Sequence, residues 1–359
     1  MMIGHPHANN PMSIIAKRSA TVLAYLLTIT CLAAPDWVWA KDTLRVLTWQ
    51  GYADHDVVSA FQQRFDVAIE LTLVSSDDDL WQKIHSGSFD VFAVNTAELQ
   101  RYIDHGLSRP ITLANIPNQR QQLPRFQDLF AIPGLVLQNN VYAIPYTYSE
   151  MGLIYNRKLV KTVPQSMAAM WDEAYRGQVL AFNASNHNFS MVGLLKGLTN
   201  PFRMTDAELQ EAARELVNLR RNVLTFYATA EEATRLFGKY DIALIFGNYG
   251  TQQLKALREK GADIGYVIPK EGALAWLDCW AITQNSQNAE LAEKWINFTL
   301  EKAVSERLST QHGLANTITA PTNSSSQNQP IIWLEPILNP LTRKALWDRI
   351  ISGEAPEAF

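Results

Sequence analysis

The sequence predicts an α/β protein of two lobes, each a doubly wound mixed sheet, joined by a hinge. Three observations carry this. Short apolar runs alternate with helical patterns from residue 43 onward. After residue 146 the chain leaves this first set of elements, and residues 276–283 return to it. Removing a 40-residue leader leaves 359 − 40 = 319 residues, ample for two cores.

The leader is read over residues 13–40. Lys17 and Arg18 form its basic end, residues 20–34 an apolar stretch, and Val38, Trp39 and Ala40 a small-residue cleavage site. Cleavage is expected after Ala40, so 1–40 is assigned as signal peptide and the mature protein as exported to the periplasm. Pro35 and Asp36 interrupt the apolar stretch before it could span a bilayer. Loss of Lys17, Arg18 and Asp36 takes the formal charge from −4 to −4 − 2 + 1 = −5. This mild acidity, with no basic cluster, argues against nucleic acid and fits a cationic ligand. Only Cys279 remains beyond the leader, so no intrachain disulfide is possible.

Residues 43–49 read as a strand ending at Gln50 and Gly51. Val57, Val58, Phe61 and Phe65 follow at helical spacing. Residues 67–74 read as a second strand. Asp77, Asp78 and Asp79 then suit the positive end of a helix starting near Leu80, and no calcium-loop glycine follows them. Residues 89–94 give a third strand and 97–103 a helix. In the second lobe, Thr205 with Glu208 forms a capping box for a helix burying Leu209, Ala212, Ala213, Leu216 and Leu219. Thr229 with Glu232 caps another helix. Residues 241–246 make a buried strand, and a helix runs from about 251 to 260. Residues 289–308 read as one long amphipathic helix, and 323–329 as a polar loop. The expected division is lobe 1 from 41–147 and 278–359, and lobe 2 from 148–277. A cleft between such lobes is the natural ligand site.

Trp276 and Asp278 are the chemistry-bearing pair. In a strand, residues two apart face one side, so an indole and a carboxylate would share a space. An organic ammonium ion needs both: a cation–π contact and a charge-assisted hydrogen bond. Catalysis is not expected, because the chain has no nucleophile elbow, phosphate loop, dinucleotide fingerprint or zinc-ligand spacing. Asp54, His55 and Asp56 sit at a helix start, where such residues cap. Trp280, Trp295 and Cys279 read as core.

An ordered set of segments resembles the periplasmic polyamine-binding proteins, the spermidine/putrescine branch of the bacterial extracellular solute-binding family. It comprises Trp49 to Tyr52, Phe89 to Val91, Ile144 to Tyr146, Gly152 to Asn156, Trp171 to Gly177, Pro269 to Gly272 with Trp276 and Asp278, and Trp295 to Phe298. The resemblance spans essentially all of the mature chain. It implies a type II two-lobed binding fold, without cofactor, that closes on a small-molecule amine. The partner it implies is an ABC permease. Relatives also exist that dock on a membrane sensor receptor of the cyclic-di-GMP type. A monomer is expected.

Carried over residue by residue, the resemblance implies ligand contacts from Trp49, Tyr52, Asn95, Thr96, Phe246, Trp276 and Asp278, with His187 and Glu335 as further candidates. The departures are Gly51 in place of an acid, Ala97 in place of an aromatic, and Ala184 and His187 in place of carboxylates. Glu150, at the expected hinge, is another candidate acid. An ammonium entering a closed cleft loses hydration worth several kcal/mol unless a charge answers it. A charge-assisted hydrogen bond returns roughly 1.5–3 kcal/mol and a desolvated cation–π contact about 2. Asp278 with two or three rings can therefore hold one cationic head, and a second needs another acid. His187 would help as a neutral acceptor.

Overall fold

Alternation of strand and helix along the chain produces two separate sheets. The computed structural model describes residues 1, 2, 4, 41–320 and 329–359. The expected leader, with Cys31, and residues 323–328 of the polar loop lie outside them.

The first sheet begins with β1 (Thr43–Trp49), α1 (His55–Phe65), β2 (Ala68–Val74), α2 (Asp77–Ser86), β3 (Val91–Asn95) and α3 (Thr96–Asp104). β1 pairs in parallel with β2 and β3, each connection being a strand–helix–strand crossover. After β4 (Ser108–Arg109), the short helix α4 (Pro124–Gln127) and the small hairpin β5 (Val136–Leu137) and β6 (Asn140–Val141), β7 (Ala143–Glu150) joins the same sheet. The chain then enters the second sheet through β8 (Gly152–Asn156), β9 (Val179–Phe182), α5 (Ser185–Leu195), α6 (Asp206–Asn222) and β10 (Val223–Tyr227). It continues through α7 (Ala230–Lys239), β11 (Leu244–Gly247), α8 (Gly250–Glu259) and β12 (Ile264–Val267). This five-stranded sheet has the order β10-β9-β11-β8-β12.

The long strand β13 (Ala273–Thr283) returns to the first sheet, antiparallel to both β3 and β7. α9 (Ala289–Thr299), α10 (Lys302–Arg307), β14 (Ala315–Asn316), β15 (Ile331–Trp333) and α11 (Pro340–Ser352) complete the chain. The first sheet runs β14-β7-β13-β3-β1-β2, with β15 and β4 also paired to β13. The single helix expected over 289–308 is thus broken after Thr299, and a π-helical turn, Leu308–His312, ends at Gly313. Gly313 has φ +71°, the left-handed geometry of a C-terminal cap.

The lobes are linked at three places. Met151 donates to Leu274 O at 2.7 Å where the β7–β8 and β12–β13 crossings touch. Gly152 is required here: a Cβ would lie 2.6 Å from both the Tyr266 ring and Val267 O. The third link is the segment after β15, where Leu334 donates to Ala275 O and Leu338 to Phe202 O.

That third link corrects the expected division of the lobes. Residues 278–359 were assigned together to lobe 1, but α11 packs on α5 and α6 of the second lobe. Leu346, Trp347 and Ile350 are buried in that lobe's core, and Arg220 donates to Ile350 O at 2.5 Å. Arg343 is fully buried, donating to Ser190 Oγ at 2.9 Å and Pro201 O at 2.8 Å.

The first lobe's core centres on aromatic rings from β13, α1 and α9. Trp280 and Trp295 are 0% exposed and meet edge-on at 5.9 Å, while Phe61 meets Trp295 at 5.2 Å. Cys279 is buried beside them, and burial pushes its thiol well up, so it is an inert core residue. The capping box of Thr205 and Glu208 forms as expected, with Glu208 accepting from the Thr205 N–H at 2.7 Å. Because β13 carries both the core tryptophan and the cleft residues, Trp280→Ala is expected to lower unfolding free energy by about 3–5 kcal/mol. Urea denaturation monitored by far-UV circular dichroism would measure it; a loss within error would remove Trp280 from the central core.

Candidate ligand-binding cleft

A cleft of about 1080 Å³ opens between the sheets. It is built on strand ends. Trp49 closes β1, Asn95 closes β3, and Trp276 and Asp278 project from β13 into the same space. Opposite Asp278, β7 gains one residue: Asp278 faces Thr147, but Cys279 faces Pro145. Pro145 has no N–H to give the ladder, so the pairing shifts at the carboxylate.

Asp278 is 8% exposed. Its Oδ2 accepts from the Tyr52 hydroxyl at 2.5 Å and its Oδ1 from Asn95 Nδ2 at 3.0 Å. Asn95 also caps α3, its Oδ1 accepting from the Ala97 N–H at 2.9 Å, so both ends of the amide are fixed. The Tyr146 hydroxyl donates to Tyr52 O at 3.0 Å and holds that loop. Burial pushes the Asp278 carboxyl up from 3.8 to about 6, and the bonds from Tyr52 and Asn95 only partly oppose the rise. Burial, then Asp278, pushes the Tyr52 phenol well up, so it stays a donor. No cationic side chain reaches Asp278 among the described residues.

The indole N–H of Trp276 donates to Asn248 O at 3.1 Å. Asn248 Oδ1 lies 3.0 Å from His187 Nδ1, and the His187 ring stacks on Phe182 at 5.6 Å. His187 faces the cleft half-buried, and burial pushes its pKa down to about 4. Gly51, with φ +86°, leaves space that another residue fills: a Cβ there would lie 3.1 Å from the His312 ring. His312 is held by Asp54 at 2.6 Å. Asp54 therefore makes a cross-loop pair and leaves its own helix end uncapped.

Of the expected contacts, Trp49, Tyr52, Asn95, His187, Trp276, Asp278 and Glu335 line the cleft. Thr96 and Phe246 do not. Thr96 is 1% exposed, and its hydroxyl donates to Leu334 O at 3.4 Å, tying α3 to the third link. Phe246 is 1% exposed on β11, a strand buried along its whole length, and packs into the second lobe's core. Glu150 is taken up by Arg125 at 3.1 Å.

Sequence reading missed the acidic rim. Asp77 and Asp78 do begin a helix, capped by Ser76, but they also line the cleft with Glu98 and Asp104. Burial and then Asp78 raise the Asp77 pKa; burial and then Asp77 push Glu98 up to about 7. Arg101, over the Trp81 ring at 3.6 Å, is a cation beside these acids and sits 3.8 Å from Glu98. Two acidic helix starts facing one strand end were the available signal.

These features define a two-lobed solute-binding protein whose cleft carries a buried, uncompensated carboxylate among aromatic walls. Residues 56–339 match the family described as bacterial extracellular solute-binding protein, and the chain belongs to that family, whose members bind solutes and are not enzymes. It is 23% identical over 274 residues to spermidine/putrescine-binding periplasmic protein 1 of Haemophilus influenzae, covering 75% of this chain and 73% of that one. It is 26% identical over 288 residues to the spermidine/putrescine-binding periplasmic protein of Escherichia coli, covering 79% and 78%. Its fold superposes with a TM-score of 0.73 on the spermidine/putrescine ABC transporter substrate-binding protein PotD of Streptococcus pneumoniae. That match has 18% identity and covers 87% of this chain and 99% of the other.

The raised carboxyls give the cleft a pH dependence with a definite sign. A bound cation requires the charged forms of Asp278 (about 6) and Glu98 (about 7), so it drives out any proton they hold. Through Asp278 alone, affinity for an amine is expected to rise about tenfold between pH 5 and 7.5, and Glu98 adds a further rise centred near pH 7, with proton release below pH 7. Calorimetry in buffers of different ionisation enthalpy measures both; a flat profile would mean that neither carboxyl meets the ligand.

Proposed function

We propose that this protein captures a polyamine or related amine in the inter-lobe cleft of the periplasm and delivers it to an ABC permease. The observation that carries the reading is Asp278, a buried carboxylate with two neutral donors and, among the described residues, no cation, set beside Trp276 and Trp49. A charge in that environment is unfavourable until a cation answers it, and the rings stabilise an alkylammonium that a metal ion would not match. The acids of the rim add negative potential at the mouth of the cleft. The relatives named as spermidine/putrescine-binding periplasmic proteins agree with this chemistry. Docking on a membrane signalling receptor in place of a permease has no observation in its favour.

Calorimetry of the mature chain against putrescine, spermidine, norspermidine, agmatine and neutral amino acids is the test. Amines are expected to bind with 1:1 stoichiometry, and Asp278→Ala to abolish binding without unfolding the protein. Trp276→Ala is expected to weaken it by about 1–3 kcal/mol through the lost cation–π contact. Binding that survives Asp278→Ala, or that is confined to anionic compounds, would refute the amine reading.

A further inference from the structure

The two walls of the cleft differ in charge. The wall from the first lobe carries Asp77, Asp78, Glu98 and Asp278. The wall from the second lobe, formed by Ser185, Asn186 and His187 at the start of α5 and by Tyr249 and Gln252 at α8, has no carboxylate of its own. The segment after β15 adds Glu335, whose Oε2 accepts from Asn200 Nδ2 at 3.4 Å, and α11 adds Lys344. Behind that first turn of α5 lies the guanidinium of Arg343. Among the described residues its partners are all neutral oxygens: Ser190 Oγ, Pro201 O and, at 3.5 Å, Asn186 O. Its positive charge therefore stands uncompensated against the start of α5. The α5 N-cap, Ala184, has no side chain to cap the first-turn N–H groups, which add positive potential of their own. An ammonium group arriving at the start of α5 would find positive potential and no carboxylate on α5 or α8.

What the second wall offers is neutral acceptors. Asn248 Oδ1 accepts the proton of His187 Nδ1, so His187 Nε2 carries a bare lone pair. The ring cannot turn freely, because it stacks on Phe182 and its partner Asn248 is itself tied to Trp276 and to the Tyr227 hydroxyl. Burial keeps the imidazole neutral. Beside it, Asn186 Oδ1 is buried and has no partner among the described residues.

We propose that His187 sets the ligand class: it accepts a hydrogen bond from an uncharged O–H or amide N–H at the far end of the amine, and this end of the cleft rejects a second ammonium. The inference rests on the amine reading, with the amino group at Asp278, and narrows it to amines that carry one positive charge.

Calorimetry with three four-carbon probes tests it on the mature protein: 4-amino-1-butanol, putrescine and butylamine. The expected order is the amino alcohol first, at least about tenfold tighter than putrescine, with butylamine weaker than the amino alcohol. His187→Glu, which places a carboxylate at this wall, is expected to invert the order in favour of putrescine. His187→Gln, which keeps a neutral acceptor, should preserve it. Putrescine binding tightest to the unaltered protein, or equal ratios in the unaltered and His187→Glu proteins, would overturn the inference and leave the amine reading standing. Failure of all three probes to bind would overturn both.

Discussion

A buried carboxylate without a counter-ion is the constraint around which this cleft is organised. Asp278 sits on the strand that runs from the lobe crossing into the aromatic core, so its position is as rigid as that core. Tyr52 and Asn95 fix its two oxygens, and each is fixed in turn by a hydrogen bond to another element. Neutral donors of this kind stabilise the ionised form only partly, as the carboxyl's rise to about 6 shows. The remaining electrostatic demand is available to a ligand. Evolved binding sites commonly hold such groups at some expense to the stability of the empty protein.

The charge asymmetry of the cleft follows from which elements supply each wall. Helices α2 and α3 start at the ends of parallel strands, and their first turns favour acids. The same topology aims those turns at the cleft, so acids that cap helices also line a binding surface. On the far side, α5 begins without a capping side chain and with Arg343 buried behind it. A ligand that bridges the lobes would thus pass from the acidic wall to surroundings with fewer carboxylates.

Much of this was readable from residue patterns. The shared face of Trp276 and Asp278 followed from strand alternation, and the core roles of Trp280 and Trp295 from their apolar surroundings. Other features depend on contacts distant in sequence. Thr96 and Phe246 occupy expected segments, but whether a side chain faces cleft or core is decided by neighbouring strands and by the Leu334 link. Asp77 and Asp78 read as helix-end acids because nothing local says where a helix end points. The path of α11 onto the second lobe was hidden because the segment after β15 carries no pattern that names its partner. The filling of the Gly51 gap by His312 joins residues 261 positions apart (312 − 51) and has no local signature.

The central claim is that Asp278 waits, partly protonated and unpaired, for a cationic head. Its side-chain carboxyl resonance, followed by carbon-13 NMR across pH with and without an amine that binds, reads this directly. The account predicts a midpoint near 6 in the free protein, falling below the ordinary carboxylate range once the amine is bound. A midpoint at the ordinary value in the free protein, unmoved by the amine, would contradict it.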